Sequence, residues 1–175
     1  MNIPDFINVD DWRKVVLYSL ENKVNPYLIA AIGWHETQWG KLGWGKQGFI
    51  LGVGCFSETN ADYSYQGLDQ QLRWASIEIG RFLPFLVNES MLITFAEKVW
   101  RPGNPKQWGK AVFGYWIDLM NRYGSDLFQC IPPFDWAIPY LRDFYLKNYL
   151  NTPFGDYNFY RLITILGKIL KEKGF

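Results

Sequence analysis

Apolar residues recur at helical spacing from the N-terminus to about Gly124. In Val9 to Asn22 they fall at Trp12, Val15, Val16 and Leu20, one face of a first helix. A second helix opens at Pro26, with Asn25 as its cap and proline suited to the first helical position. From Leu28 to Ile32 this helix is apolar on every side, the pattern of an element buried all round. Gly40 is its natural stop. Gly67 leads into a long helix with Leu68, Leu72, Ala75, Ile79, Phe82 and then Phe85 or Leu86 inward, bent or ended by Pro84. Asn88 or Ser90 can cap the next, which runs to about Trp100 with Leu92, Phe95 and Val99 inward. After the loop Arg101 to Pro105, a helix over Lys106 to Tyr123 carries the stripe Trp108, Val112, Tyr115, Leu119 and Tyr123.

The helical pattern breaks between Gly40 and Gly67. Gly40, Gly43, Gly45, Gly48, Gly52 and Gly54 crowd together, and Phe49 to Phe56 reads as a strand. Ser57 to Gln66 is polar and turn-rich. A small β-hairpin lobe is therefore expected over about Phe49 to Gln66. Cys130 to Phe134, with its two prolines, marks a boundary, followed by helical segments over about Trp136 to Tyr149 and Asp156 to Lys173. The expected fold class is α+β, mainly α: a main domain over 1–125, and a helical extension over 126–175 packed on it through Trp136, Tyr140, Phe144, Leu162, Ile165 and Leu166. No internal repeat or low-complexity tract interrupts the chain.

Composition narrows the function classes. A net charge of +1 argues against a nucleic-acid surface. Aromatic residues make up 19% of the chain, including nine Trp; core packing is the default for any single ring, and that many flat rings also suits sugar binding. Two cysteines, Cys55 and Cys130, are too few for a disulfide scaffold, and the sequence leaves their pairing open. The N-terminus lacks a basic region followed by an apolar run, so no secretory leader is expected, and the apolar stretches are too interrupted for a membrane span.

The chemistry centres on Glu36, in the last turn of the buried helix. A helix C-terminus carries partial negative charge, and Trp34, Trp39 and Trp44 close by can exclude water. Both favour the neutral carboxylic acid, the form that protonates a glycosidic oxygen. The plainer reading is a solvated glutamate at a helix end. Other motifs fall away. Gly43 to Gly48 fits G-x-G-x-x-G but follows a helix, without a βαβ unit. His35-Glu36 begins like a zincin motif, yet position 39 is Trp and the chain has one histidine, so no metal or cofactor is expected. Asn88-Glu89-Ser90 is a weak glycosylation sequon, and a Cys55–His35 nucleophilic pair is disfavoured because a cysteine in an apolar run is usually inert.

Three ordered features carry a resemblance. Glu36-Thr37-Gln38-Trp39-Gly40 matches E-[ST]-x-x-G at the end of a buried helix. Gly52-Val53-Gly54 resembles a G-x-G turn, and Trp100-Arg101-Pro102-Gly103-Asn104-Pro105 followed by Trp108-Gly109 resembles a W-x-P…W-A motif. Together they resemble the lysozyme superfamily, most nearly bacterial and phage glucosaminidases and lytic transglycosylases, over roughly residues 10 to 124. The chain beyond residue 125 carries no such likeness.

The resemblance implies a lysozyme-like fold that cleaves β-1,4 bonds in peptidoglycan, or in a chitooligosaccharide-like glycan, with Glu36 as general acid. A second carboxylate, present in the hydrolases and absent from single-glutamate transglycosylases, would come from the polar loop at Glu58 or Asp62; each is otherwise a solvated loop charge. His35, Thr37, Trp39, Trp44, Tyr63, Tyr65 and Trp108 are the candidate substrate contacts. Thr37 has the alternative of bonding back to its helix, and His35 of simple packing. The competing class is a lysozyme-like protein without catalysis, a glycan-binding or structural part of a cell-wall or virion assembly. A monomer is expected. The missing leader fits a phage lysin, a virion component or an excised domain.

Overall fold

The computed structural model describes residues 2–124. The helices expected over 136–149 and 156–173, the packing of the 126–175 extension and Cys130 lie outside the described residues.

The described residues are mainly helical, with five α-helices. Helix α1 is Val9–Glu21, α2 Pro26–Thr37, α3 Leu68–Phe82, α4 Glu89–Phe95 and α5 Pro105–Tyr123. The caps are those the sequence offers. The Asn25 side chain accepts from the Tyr27 N–H, with Pro26 in the first turn. Asn88 accepts from the Met91 N–H and Asn104 from the Gln107 N–H. Helix α3 ends before Leu83, whose extended backbone is the one a residue preceding proline prefers. Helix α4 widens at Ala96–Trp100 into a π-turn, closed by Arg101 in the left-handed region.

Helix α2 is the centre of the core. Every residue from Tyr27 to Ile32 is 0% exposed. It packs against α1 on one side and α5 on the other, and α5 in turn packs on α4. One close approach sets the α4–α5 crossing, and another seats the Trp39 ring on α2. A side chain at Gly109 would strike Ile93 at 2.6 Å, and one at Gly33 would strike the Trp39 ring at 2.6 Å. The inward stripes differ from expectation by about one position. Helix α1 buries Trp12, Val15 and Ser19 and leaves Leu20 exposed; α5 buries Trp116 in place of Tyr115; Phe82 on α3 also faces outward.

The expected β-hairpin lobe does not form. Among the described residues there is no strand, only one isolated antiparallel bridge between Cys55 and Ala61. The reason is local. Gly52 and Gly54 hold φ of +72° and +80°, and the run folds into tight turns, with the Gly52 N–H donating to the Phe49 carbonyl and the Cys55 N–H to the Gly52 carbonyl. The backbone groups that a partner strand would have satisfied are taken instead by the amide of Gln71 on α3. Its Oε1 accepts from the Leu51 and Val53 N–H groups, and its Nε2 donates to the Val53 and Tyr65 carbonyls.

Candidate functional site

Glu36 stands in the last turn of α2 and is partly buried. One of its oxygens, Oε1, accepts two indole N–H groups: Trp108 Nε1 at 2.6 Å and Trp100 Nε1 at 3.0 Å. The first comes from the opening turn of α5, which Asn104 and Pro105 fix. The second comes from the end of the π-turn after α4. The other oxygen, Oε2, faces Gly52, where an added Cβ would lie 3.0 Å away. An oxygen that accepts two N–H donors has both lone pairs engaged, so an acidic proton on this carboxyl belongs on Oε2. Gly52 keeps the space in front of that oxygen free of any side chain.

Rings continue outward on both sides of the carboxylate. Tyr65 meets Trp74 edge-on at 6.4 Å, Trp74 meets Trp100 at 5.7 Å, and Trp100 meets Trp108 at 5.9 Å. Beyond Trp108 come His35 and then Tyr115, each step 6.1 Å. Tyr65, Trp74, Trp100 and His35 are partly exposed, and Tyr115 is 39% exposed, so this belt has a solvent-facing side.

The other expected site residues divide into those near the belt and those turned inward. Tyr65 lies in the belt and rests on Gly54, where a Cβ would strike its ring at 2.7 Å. Trp108 is 3% exposed and contributes its N–H more than its face. Trp44 and Tyr63 form a second aromatic group with Phe49, Trp44 donating to the Ser57 carbonyl at 2.8 Å and Tyr63 largely exposed. Thr37 is buried: its hydroxyl donates to the Ile50 carbonyl at 2.7 Å and accepts from the Gly40 N–H at 2.9 Å, tying the loop to the helix end. Trp39 is 7% exposed and packs against Gly33 and Phe6, because Gln38 and Trp39 both adopt left-handed backbone and swing the ring inward.

Glu58 and Asp62 are both exposed on the polar loop. Asp62 caps the short 3-10 turn Tyr63–Tyr65 by accepting from the Ser64 N–H at 2.9 Å. Hydrogen bonds from Ser64, side chain first and then backbone, hold its carboxyl below the ordinary carboxylate range. Neither shares a hydrogen bond with Glu36 among the described contacts. Cys55, disfavoured above as a nucleophile, lies near enough to Glu36 to feel its charge. Burial and, second, the negative charge of Glu36 push its thiol up to about 11, so it stays protonated and is no nucleophile at neutral pH.

Trp74, Trp100, Gly52 and Gln71 were not anticipated as site residues. Trp100 and Gly52 do lie inside the motifs that carry the family resemblance. Trp74 and Gln71 look like ordinary positions on α3, and no local signal marks them. Among the described residues no helix is long and apolar enough to cross a membrane, and no group of three or more His, Cys, Asp and Glu could hold a metal ion. Comparison with protein-family models, with curated proteins and with solved structures finds no match to this chain. Function is therefore argued from the site.

Proposed function

We propose that the protein cleaves β-1,4 glycosidic bonds in the glycan strands of peptidoglycan, with Glu36 as general acid, on a lysozyme-like helical domain. The observation that carries this reading is the two-sided hold on one carboxyl group. Trp100 and Trp108 occupy Oε1, and Gly52 leaves Oε2 open. A carboxyl fixed in this way presents its proton in one direction. The bridging oxygen of a bound glycan takes that proton from Oε2 as its bond to the anomeric carbon breaks and the sugar ring flattens toward an oxocarbenium ion. The belt from Tyr65 to Trp100 on one side and His35 and Tyr115 on the other offers flat faces for neighbouring sugars.

Two fates of the cation share this first step. In hydrolysis, water attacks the anomeric carbon and gives up a proton to a carboxylate or to solvent; in the transglycosylase reaction, the sugar's own C6 hydroxyl attacks, closing a 1,6-anhydro ring and returning its proton to Glu36. A second carboxylate, at Glu58 or Asp62, would stabilise the cation or position water; Asp62, held anionic by its bonds from Ser64, would not serve as the acid. The test is clearing of a cell-wall suspension. The parent clears it, and Glu36→Gln, which keeps the shape and removes the proton, is slower by about 10²- to 10⁴-fold. If both variants bind the wall and neither clears it, the protein is a glycan-binding component without catalysis.

A further inference from the structure

Gln71 sits in the first turns of α3 and is 0% exposed. A glutamine amide has two N–H donors and one oxygen with two lone pairs. All four are used: Oε1 takes the Leu51 and Val53 N–H groups, each at 3.1 Å, and Nε2 reaches the Val53 carbonyl at 2.8 Å and the Tyr65 carbonyl at 2.7 Å. The residue between Leu51 and Val53 is Gly52, the one that faces Glu36 Oε2. Residue 65 is the first ring of the aromatic belt. One buried side chain thus holds the backbone on both sides of Gly52 and the backbone of Tyr65. Thr37 pins the same loop one residue earlier, at Ile50.

We propose that Gln71 is the positioning residue of the site: it sets the distance between the Gly52 backbone and the proton-bearing oxygen of Glu36, and the place of Tyr65 beside it. The inference rests on the glycan-cleaving reading of Glu36. Gln71 does not touch the carboxyl; it acts through Leu51 to Val53. A turn with two left-handed glycines has no strand partner to fix it, and the amide replaces that partner. Other residues of similar size fail for stated reasons. Glutamate retains the acceptors but loses both donors and buries a charge; methionine fills the space and satisfies none of the four backbone groups.

The experiment compares the parent, Gln71→Met, Gly52→Ala and the double variant on purified peptidoglycan, with amide hydrogen exchange on each. Gln71→Met is expected to lower kcat by about 10²-fold, the size of effect a misplacement of about 1 Å produces, while glycan affinity changes by less than about threefold. Exchange should quicken at Leu51 and Val53 and stay slow from Leu28 to Ile32. The double variant should lose less than the product of the two single losses, since both act on one loop. Where Gln71→Met does not fold, Gln71→Asn, which keeps the amide and shortens its reach, is judged by the same outcomes. An unchanged kcat, protection lost throughout the domain, or fully multiplicative losses overturn the proposal. A parent that does not cleave peptidoglycan overturns the reading of Glu36 itself, which an active parent with an equally active Gln71→Met does not.

Discussion

Glu36 and Asp62 are two carboxylates on two kinds of scaffold. Glu36 ends a helix whose middle is wholly buried, and its contacts come from elements far away in sequence: α5, the π-turn after α4, and the glycine loop. Asp62 lies on an exposed loop and serves its own neighbourhood, capping a turn two residues on. The difference separates a group whose direction is imposed by the whole fold from one whose partner is local. A carboxyl with one oxygen fully engaged and the other unobstructed has a single way to deliver a proton. A carboxyl bonded to the next turn is held in the charged form by its own neighbourhood.

This contrast predicts a graded series of effects. Gly52→Ala comes first, because the new methyl lies against Oε2 and the backbone is left-handed. Turnover on peptidoglycan is expected to fall by about 10²-fold. Thermal unfolding should show a stability loss of about 1–2 kcal/mol from the positive φ. A Gly52→Ala protein with parental turnover would remove Gly52 from the site.

The indoles come next. Trp108→Phe and Trp100→Phe each keep a ring and delete one N–H to Oε1. Each is expected to slow turnover by about tenfold, Trp108→Phe the more, in line with a hydrogen bond to a charged group. Equal, negligible effects on kcat with unfolding temperatures lowered alike would make both tryptophans purely structural.

Changes at the loop carboxylates should be smaller and should sort the mechanism. If Asp62→Asn or Glu58→Gln is as damaging as Glu36→Gln, a two-carboxylate hydrolase is at work. If both retain activity within about threefold and mass spectrometry finds 1,6-anhydro products, the enzyme is a transglycosylase. Asp62 also carries a pH signature. Its folded carboxyl titrates lower than in the unfolded chain, so the cap is fully present above the ordinary carboxylate range and is lost as pH falls through the lowered value. Asp62→Asn should remove that acid-limb contribution in a pH series of unfolding curves.

Cys55 gives the smallest and most local readout. Its thiol is raised to about 11, mainly by burial and in part by the Glu36 charge. Alkylation followed site by site by mass spectrometry should be slow at Cys55 near pH 8 and faster in Glu36→Gln, which lacks that charge. An unchanged rate would place the two groups too far apart to interact.

Much of the scaffold was legible in the sequence. The caps at Asn25 and Asn88, the pre-proline end of α3 and the all-apolar run of α2 are local signals, and each forms as read; the cap at Asn104 lies in what reads as a plain loop. The hairpin was misread because Phe49 to Phe56 has strand composition, while its partner is a side-chain amide on α3 that no local pattern reveals. Thr37 and Trp39 stand beside Glu36 in sequence, yet both are buried: Thr37 on α2, bonded to the Ile50 carbonyl, and Trp39 swung inward by the left-handed turn at Gln38 and Trp39. Conversely, Trp100 and Trp108 are 64 and 72 residues from Glu36, and only the packing of α2 against α5, with the π-turn held on α5, brings them to it.

The central claim is that Glu36 supplies a proton used only in the transition state. The most direct measurement sets peptidoglycan turnover beside glycan binding for the parent and Glu36→Gln. The account predicts that turnover falls by about 10²- to 10⁴-fold while the dissociation constant for a chitooligosaccharide stays within about threefold. Turnover that survives the substitution, or that falls only in proportion to lost binding, would contradict it.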